Sequence, residues 1–128
     1  FKIMIFGIGT DIVNIRRIDE MKSLQTFAKK ILSDKELTFY NQIKEEKKVM
    51  YLSKQFAAKE AFSKAVGTGI SGKVKFRAIN ILRDSNGKPF FEFDDILKKL
   101  LSDLGIIQSH VSLSDERDYA IAYVILEK

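Results

Sequence analysis

The stretch Phe56-Ala57-Ala58-Lys59-Glu60-Ala61-Phe62-Ser63-Lys64-Ala65-Val66-Gly67 constrains this chain more than any other. Good helix formers run without Gly or Pro from about Lys47 to Val66, and Gly67 supplies a C-terminal stop, so the spacing predicts a long helix ending there. At about 100° per residue, Ala57, Ala61, Ala65, Ala58, Phe62 and Val66 cover well over half of its circumference. A helix this apolar is mostly buried. Glu60 and Lys64 fall one turn apart on the remaining side, and two readings are open. One is an exposed i,i+4 pair worth a few tenths of a kcal/mol. The other is a carboxylate and an ammonium on a rigid element, the first able to bind a metal and the second a phosphate.

With 45% hydrophobic residues, a chain of 128 residues suits one globular domain, expected to span residues 1–128. The absence of Cys excludes disulfides, thiolate metal sites and a cysteine nucleophile, and it suits a reducing cytosol. A single His excludes a multi-histidine zinc site, so a metal would be held by carboxylates, which favours magnesium or calcium. The formal charge of +5 implies attraction to something acidic: nucleic acid, membrane surface, phosphorylated cofactor or acidic protein. No apolar run approaches membrane-spanning length and the start lacks signal-peptide features, so a cytoplasmic protein is expected. Phe1 is not an initiator residue, and the first residues are given no weight.

From Ile3 to Ile15 the composition is that of a buried strand, interrupted by Gly7 and Gly9, which allow another backbone or a ligand to come close. Asp11 is the lone charge between Lys2 and Arg16, and reads either as a metal ligand or as a hydrogen-bonded structural residue. Helical stretches follow at Asn14 to Lys22 and Ser23 to Leu32, then a capping box at Ser33-Asp34-Lys35-Glu36 opens a helix reaching about Ile43. The charged residues Lys44 to Lys48 are either a turn or the first turn of the central helix. Beyond a Gly-rich loop, Thr68 to Lys73, a strand is expected over Val74 to Arg83. A hairpin turn at Asp84-Ser85-Asn86-Gly87 leads to a return strand over Lys88 to Phe93. A helix over Ile96 to Leu104 and strands over Ser109 to Ser114 and Tyr119 to Leu126 complete an α+β domain, a long central helix packed on a small, mainly antiparallel sheet.

Four segments together resemble one family. They are Gly7-Ile8-Gly9-Thr10-Asp11-Ile12-Val13, the Phe56 to Ala65 stretch followed by Gly67-Thr68-Gly69-Ile70, Asn86-Gly87-Lys88-Pro89, and His110-Val111-Ser112-Leu113-Ser114. Their order and spacing closely resemble the bacterial holo-acyl-carrier-protein synthases, the short-chain 4′-phosphopantetheinyl transferases. The resemblance implies magnesium-dependent transfer of 4′-phosphopantetheine from coenzyme A to a serine of apo-acyl carrier protein, releasing adenosine 3′,5′-bisphosphate. It places the metal carboxylates at Asp11 and Glu60 and the lysine of the same helix at Lys64. Coenzyme A contacts fall on Lys64, Gly67, Gly69, Asn86, Gly87, Lys88, Pro89 and His110, and carrier-protein contacts on Arg16, Arg17, Met21 and Phe27. It also implies a homotrimer with coenzyme A bridging neighbouring subunits. The sequence departs from the pattern at Asp115, where many relatives carry a second histidine.

The implied chemistry fits the residues. Phosphoryl transfer needs charge neutralisation and in-line alignment, which a carboxylate-held magnesium and Lys64 supply, with Glu60 the candidate base. Acidic acyl carrier proteins account for the positive balance through steering. The rival reading is a small basic nucleic-acid-binding module with Phe90, Phe91, Phe93 and Tyr119 as stacking platforms, which leaves Asp11 and Glu60 unexplained.

Overall fold

A computed structural model of the chain describes residues 2–128, so the reading of Phe1 lies outside the described residues. Strand β1 (Ile5–Asn14) passes directly into the short helix α1 (Ile15–Asp19), whose first turn is capped by the Asn14 side chain. Helices α2 (Leu24–Ile31) and α3 (Asp34–Gln42) follow, the latter opened by the capping box, with Ser33 and Glu36 satisfying each other's backbone N–H. Helix α4 (Glu45–Val66) is the longest element. Of the charged residues Lys44 to Lys48, Lys44 is the N-cap and the others form the first turn of α4, where Glu45 and Glu46 complement the macrodipole.

The remaining elements are strands β2 (Ile79–Arg83) and β3 (Pro89–Phe93), helix α5 (Asp95–Asp103), and strands β4 (Gln108–Asp115) and β5 (Tyr119–Glu127). The expected strand over Val74 to Arg83 is shorter than its alternation suggested. Only Ile79–Arg83 pairs with β3, while Phe76–Ala78 forms a 3₁₀ turn. The physical reason is tertiary: the Phe76 carbonyl turns inward to accept from Lys59 on α4, so it cannot continue a ladder.

Strands β1, β5 and β4 form an antiparallel sheet in that order, and β2 and β3 form a separate hairpin. Helix α4 lies between them. One side packs on β1 and β5, while the other, through Gln55 and Lys59, reaches β2, α3 and the end of α2. Buried positions such as Leu52, Ala57, Ala61, Phe62 and Ala65 surround the helix, so it forms the middle of the core. The far face of the three-stranded sheet is uncovered, with Ile8, Ile12, Ile121 and Tyr123 exposed.

Candidate active site

Two glycines set the site. An added Cβ on Gly9 would lie 1.9 Å from the Ala61 carbonyl oxygen, and one on Gly7 would lie 2.0 Å from that of Ala65. Strand β1 can therefore touch the α4 backbone only because these positions lack side chains. Asp11 stands two residues beyond Gly9, on the same face of the strand, and so is delivered to the last turns of the helix. Its Oδ1 lies 3.0 Å from the Lys64 Nζ, which also donates to the Thr10 carbonyl at 3.0 Å.

Glu60 sits one turn before Lys64 and is half-buried. Burial pushes its carboxyl above the ordinary value, the charge of Asp11 adds to this, and Lys64 opposes both. The two carboxylates thus repel each other across a gap bordered by an ammonium. Among the described residues no third His, Cys, Asp or Glu joins them. A hard-oxygen donor set of two carboxylates and a backbone carbonyl suits magnesium, which keeps several waters and takes further ligands from substrate phosphate. Asp11 and Glu60 are the residues that would hold it, and their repulsion is what a divalent cation relieves.

The helix ends at once beyond Lys64. Gly67 adopts a left-handed φ of 97°, and the N–H groups of Gly67 and Gly69 both donate to the Ser63 carbonyl at 3.1 Å. These amides cap the helix, leaving Lys64 as the cationic group in that turn.

Asn86, Gly87, Lys88 and Pro89 lie elsewhere, at the tip of the β2–β3 hairpin, where Asp84 Oδ1 accepts from the Asn86 and Lys88 N–H groups. Gly87 borders a cleft of about 870 Å³ between this hairpin, α3 and α4, whose lining includes Tyr51, Lys54, Arg83 and Phe90. A sequence reading gave no sign of the cleft, because three separate elements build it. Asp115 reaches Lys54 from the end of β4, forming an ion pair at 2.9 Å. His110 does not join Asp11, since it occupies the sheet face away from α4 and contacts Glu127 Oε2 at 2.9 Å.

Near Asp11 the chain turns basic. Arg16 and Arg17 on α1 are exposed, as are Lys22, Lys29 and Lys30, while Met21 and Phe27 are half-buried beside them. The Phe27 and Phe56 rings meet edge to face with their centroids 5.4 Å apart. The aromatics offered for base stacking divide differently: Phe91 and Phe93 pack on Phe62 at 5.2 and 4.9 Å, which removes them from the nucleic-acid reading.

A long helix lies between a three-stranded sheet and a hairpin, and an acid pair and a lysine meet where helix and strand cross, which are charged groups of the kind phosphoryl transfer draws on. The family model of the 4′-phosphopantetheinyl transferase superfamily matches residues 7–124. The chain belongs to that superfamily and, within it, to the holo-[acyl-carrier-protein] synthases, which are transferases. It is 50% identical to the holo-[acyl-carrier-protein] synthase of Neisseria meningitidis over 127 residues, which cover 98% of this chain and 100% of that protein. The crystal structure of the Neisseria meningitidis enzyme superposes with a TM-score of 0.92 at 50% identity, covering 98% of this chain and 100% of the other. A Bacillus anthracis holo-(acyl-carrier-protein) synthase, crystallised in complex with CoA (3′,5′-ADP), matches at 37% identity with a TM-score of 0.83, covering 98% of both chains.

Proposed function

We propose that this chain, acting as a single domain, transfers 4′-phosphopantetheine from coenzyme A to a serine hydroxyl of apo-acyl carrier protein in a magnesium-dependent reaction in the cytoplasm. The observation that carries the reading is the meeting of Asp11, Glu60 and Lys64 where glycine-spaced β1 crosses the end of α4. The serine oxygen attacks the phosphorus that bears the pantetheine ester. The bond from that phosphorus to the bridging oxygen breaks, and adenosine 3′,5′-bisphosphate leaves with the electron pair. Glu60 takes the serine proton. Lys64 neutralises charge on the transferred phosphate, and magnesium, held by Asp11 and Glu60, supplies charge stabilisation when bound.

The partners follow from chemistry around the site. Arg16 and Arg17, exposed and without an ion pair among the described residues, suit an acidic carrier protein, with Met21 and Phe27 giving apolar contact between them. The nucleotide end of coenzyme A is assigned to the cleft beside Asn86, Gly87, Lys88 and Pro89, where Arg83 offers positive charge, Lys54 is held by Asp115 and Tyr51 gives an aromatic face. Gly67 and Gly69 contribute by turning the chain away from Lys64 and leaving room for the diphosphate. His110 enters this assignment only from a neighbouring subunit. The uncovered apolar face of the three-stranded sheet supports a homotrimer with sites shared between copies.

The decisive experiment is the mass of an acidic apo-acyl carrier protein after incubation with this protein, coenzyme A and magnesium. A gain of one phosphopantetheine arm, abolished by a chelator, is expected. No gain with several carriers, in a sample shown to be folded, overturns the proposal.

A further inference from the structure

The ion pair between Lys64 and Asp11 is asymmetric. The lysine side chain is 52% exposed and the aspartate only 16%. Lys64 can return to water at little cost, because a solvated ammonium on a flexible stem loses nothing by leaving. Asp11 cannot follow it. A mostly buried carboxylate stripped of its cation is expensive, so the pair opens readily only when another positive charge takes the lysine's place.

The surroundings say what that charge is. Lys64 Nζ bridges the Asp11 carboxylate and the Thr10 carbonyl, both hard oxygen donors, each at 3.0 Å. The Glu60 carboxylate, one turn back on α4, has neither an ion pair nor a hydrogen-bonding side chain among the described residues. Lys64 thus holds the position of a cation among oxygens, beside a carboxylate with its acceptor sites free. The same ammonium is the cationic group of the last turn of α4, the group a diphosphate arriving there would draw on.

We propose that Lys64 is the resident cation of the acid pair and couples two ligands to each other. It leaves Asp11 when a divalent cation takes its place, and it is then free for the phosphate. Each ligand claims one member of the same ion pair. Metal alone must evict the ammonium, and diphosphate alone must draw it from a carboxylate left without compensation. Together they bind more tightly than separately, and the coupling is reciprocal. The inference rests on the magnesium-dependent reaction proposed above.

The test uses Mn²⁺ as the probe, with its free concentration followed by electron paramagnetic resonance in titrations of the full chain, first without coenzyme A and then with it saturating. Wild type is compared with Lys64→Met, which keeps side-chain length and removes the charge. Lys98→Met makes the same change in net charge on the exposed side of α5, and Asp11→Asn removes a donor. Circular dichroism confirms that each variant is folded. Without coenzyme A, Lys64→Met is expected to bind Mn²⁺ about tenfold more tightly than wild type, within the range of ordinary coupling between sites. Lys98→Met should match wild type, and the gain in Mn²⁺ affinity from coenzyme A should shrink in Lys64→Met. Equal or weaker binding by Lys64→Met, with Asp11→Asn abolishing binding in the wild-type background, overturns the role given to Lys64 and leaves the carboxylate metal site standing. No Mn²⁺ binding by folded wild type, even with coenzyme A, overturns the metal site and the coupling with it.

Discussion

Lys59 precedes Glu60 in sequence but faces the opposite layer, and its side chain is fully buried. Its ammonium donates to Glu36 Oε1, to the Ile31 carbonyl at 2.6 Å and to the Phe76 carbonyl at 2.8 Å. Glu36 also accepts from the Ser33 and Ile81 N–H groups and from Gln55, so every polar atom in the cluster is satisfied. Burial pushes the lysine below its ordinary pKa, and the charge and hydrogen bond of Glu36 push back. Lys59→Met leaves Glu36 charged in the core, and should cost about 3–5 kcal/mol. A lower urea midpoint at unchanged m-value is the readout. Adding Glu36→Gln should recover part of the loss, since it removes the unpaired buried charge while the amide oxygen still accepts from one of the two backbone N–H groups; an unchanged midpoint for Lys59→Met alone would show that the pair contributes nothing. Half of this cluster was legible in the sequence. The S-x-x-E spacing marks Glu36 as a capping residue, and it caps. Nothing marks its second role, because Lys59 lies 23 residues away and differs from Glu60 only by about 100° of helix rotation.

At the scale of elements, the site depends on how closely β1 lies against α4. The long helix and its glycine stop were readable from residue types alone, since local propensity and tertiary packing agree there. The close approach was readable as a possibility at Gly7 and Gly9, but not its target, which is the Ala61 and Ala65 carbonyls. Where the two levels disagree, as at Phe76–Ala78, alternation misled: the backbone there serves a buried ammonium instead of a sheet. Gly9→Ala therefore tests the geometry. Its methyl would meet the helix backbone at 1.9 Å, which neither element can absorb without shifting. A loss of about 1–3 kcal/mol is expected from overpacking of this kind. Because Asp11 follows on the same strand face, the rate of carrier loading should fall even where circular dichroism and melting show a folded protein. A destabilised variant with the wild-type rate would mean that strand and helix spacing does not position Asp11.

Across the whole molecule, β5 is apolar on both faces, yet the described residues cover only one. Ala120, Ala122, Val124 and Leu126 are buried, whereas Ile121 and Tyr123 on the other face are 40% and 43% exposed, beside Ile8 and Ile12 of β1 at 56% and 60%. A strand with this composition is one meant to be covered twice, and a second copy of the chain supplies the missing cover in the proposed trimer. The acid pair and the hairpin cleft then need not belong to the same subunit, which mixing two defective variants can decide. Asp11→Asn disables the carboxylate side, and Arg83→Glu reverses a charge that lines the cleft. Each alone should load almost no carrier protein. When the two are co-expressed and assemble at random, a site that takes its acid pair from one copy and its hairpin from the next is intact in about a quarter of cases, so about that share of wild-type activity should return. A site contained within one subunit regains nothing on mixing, because every copy carries one of the two lesions. Sedimentation of the mixture, run beside the activity assay, shows whether an inactive sample is assembled. Assembly without regained activity would place both halves of the site in a single chain.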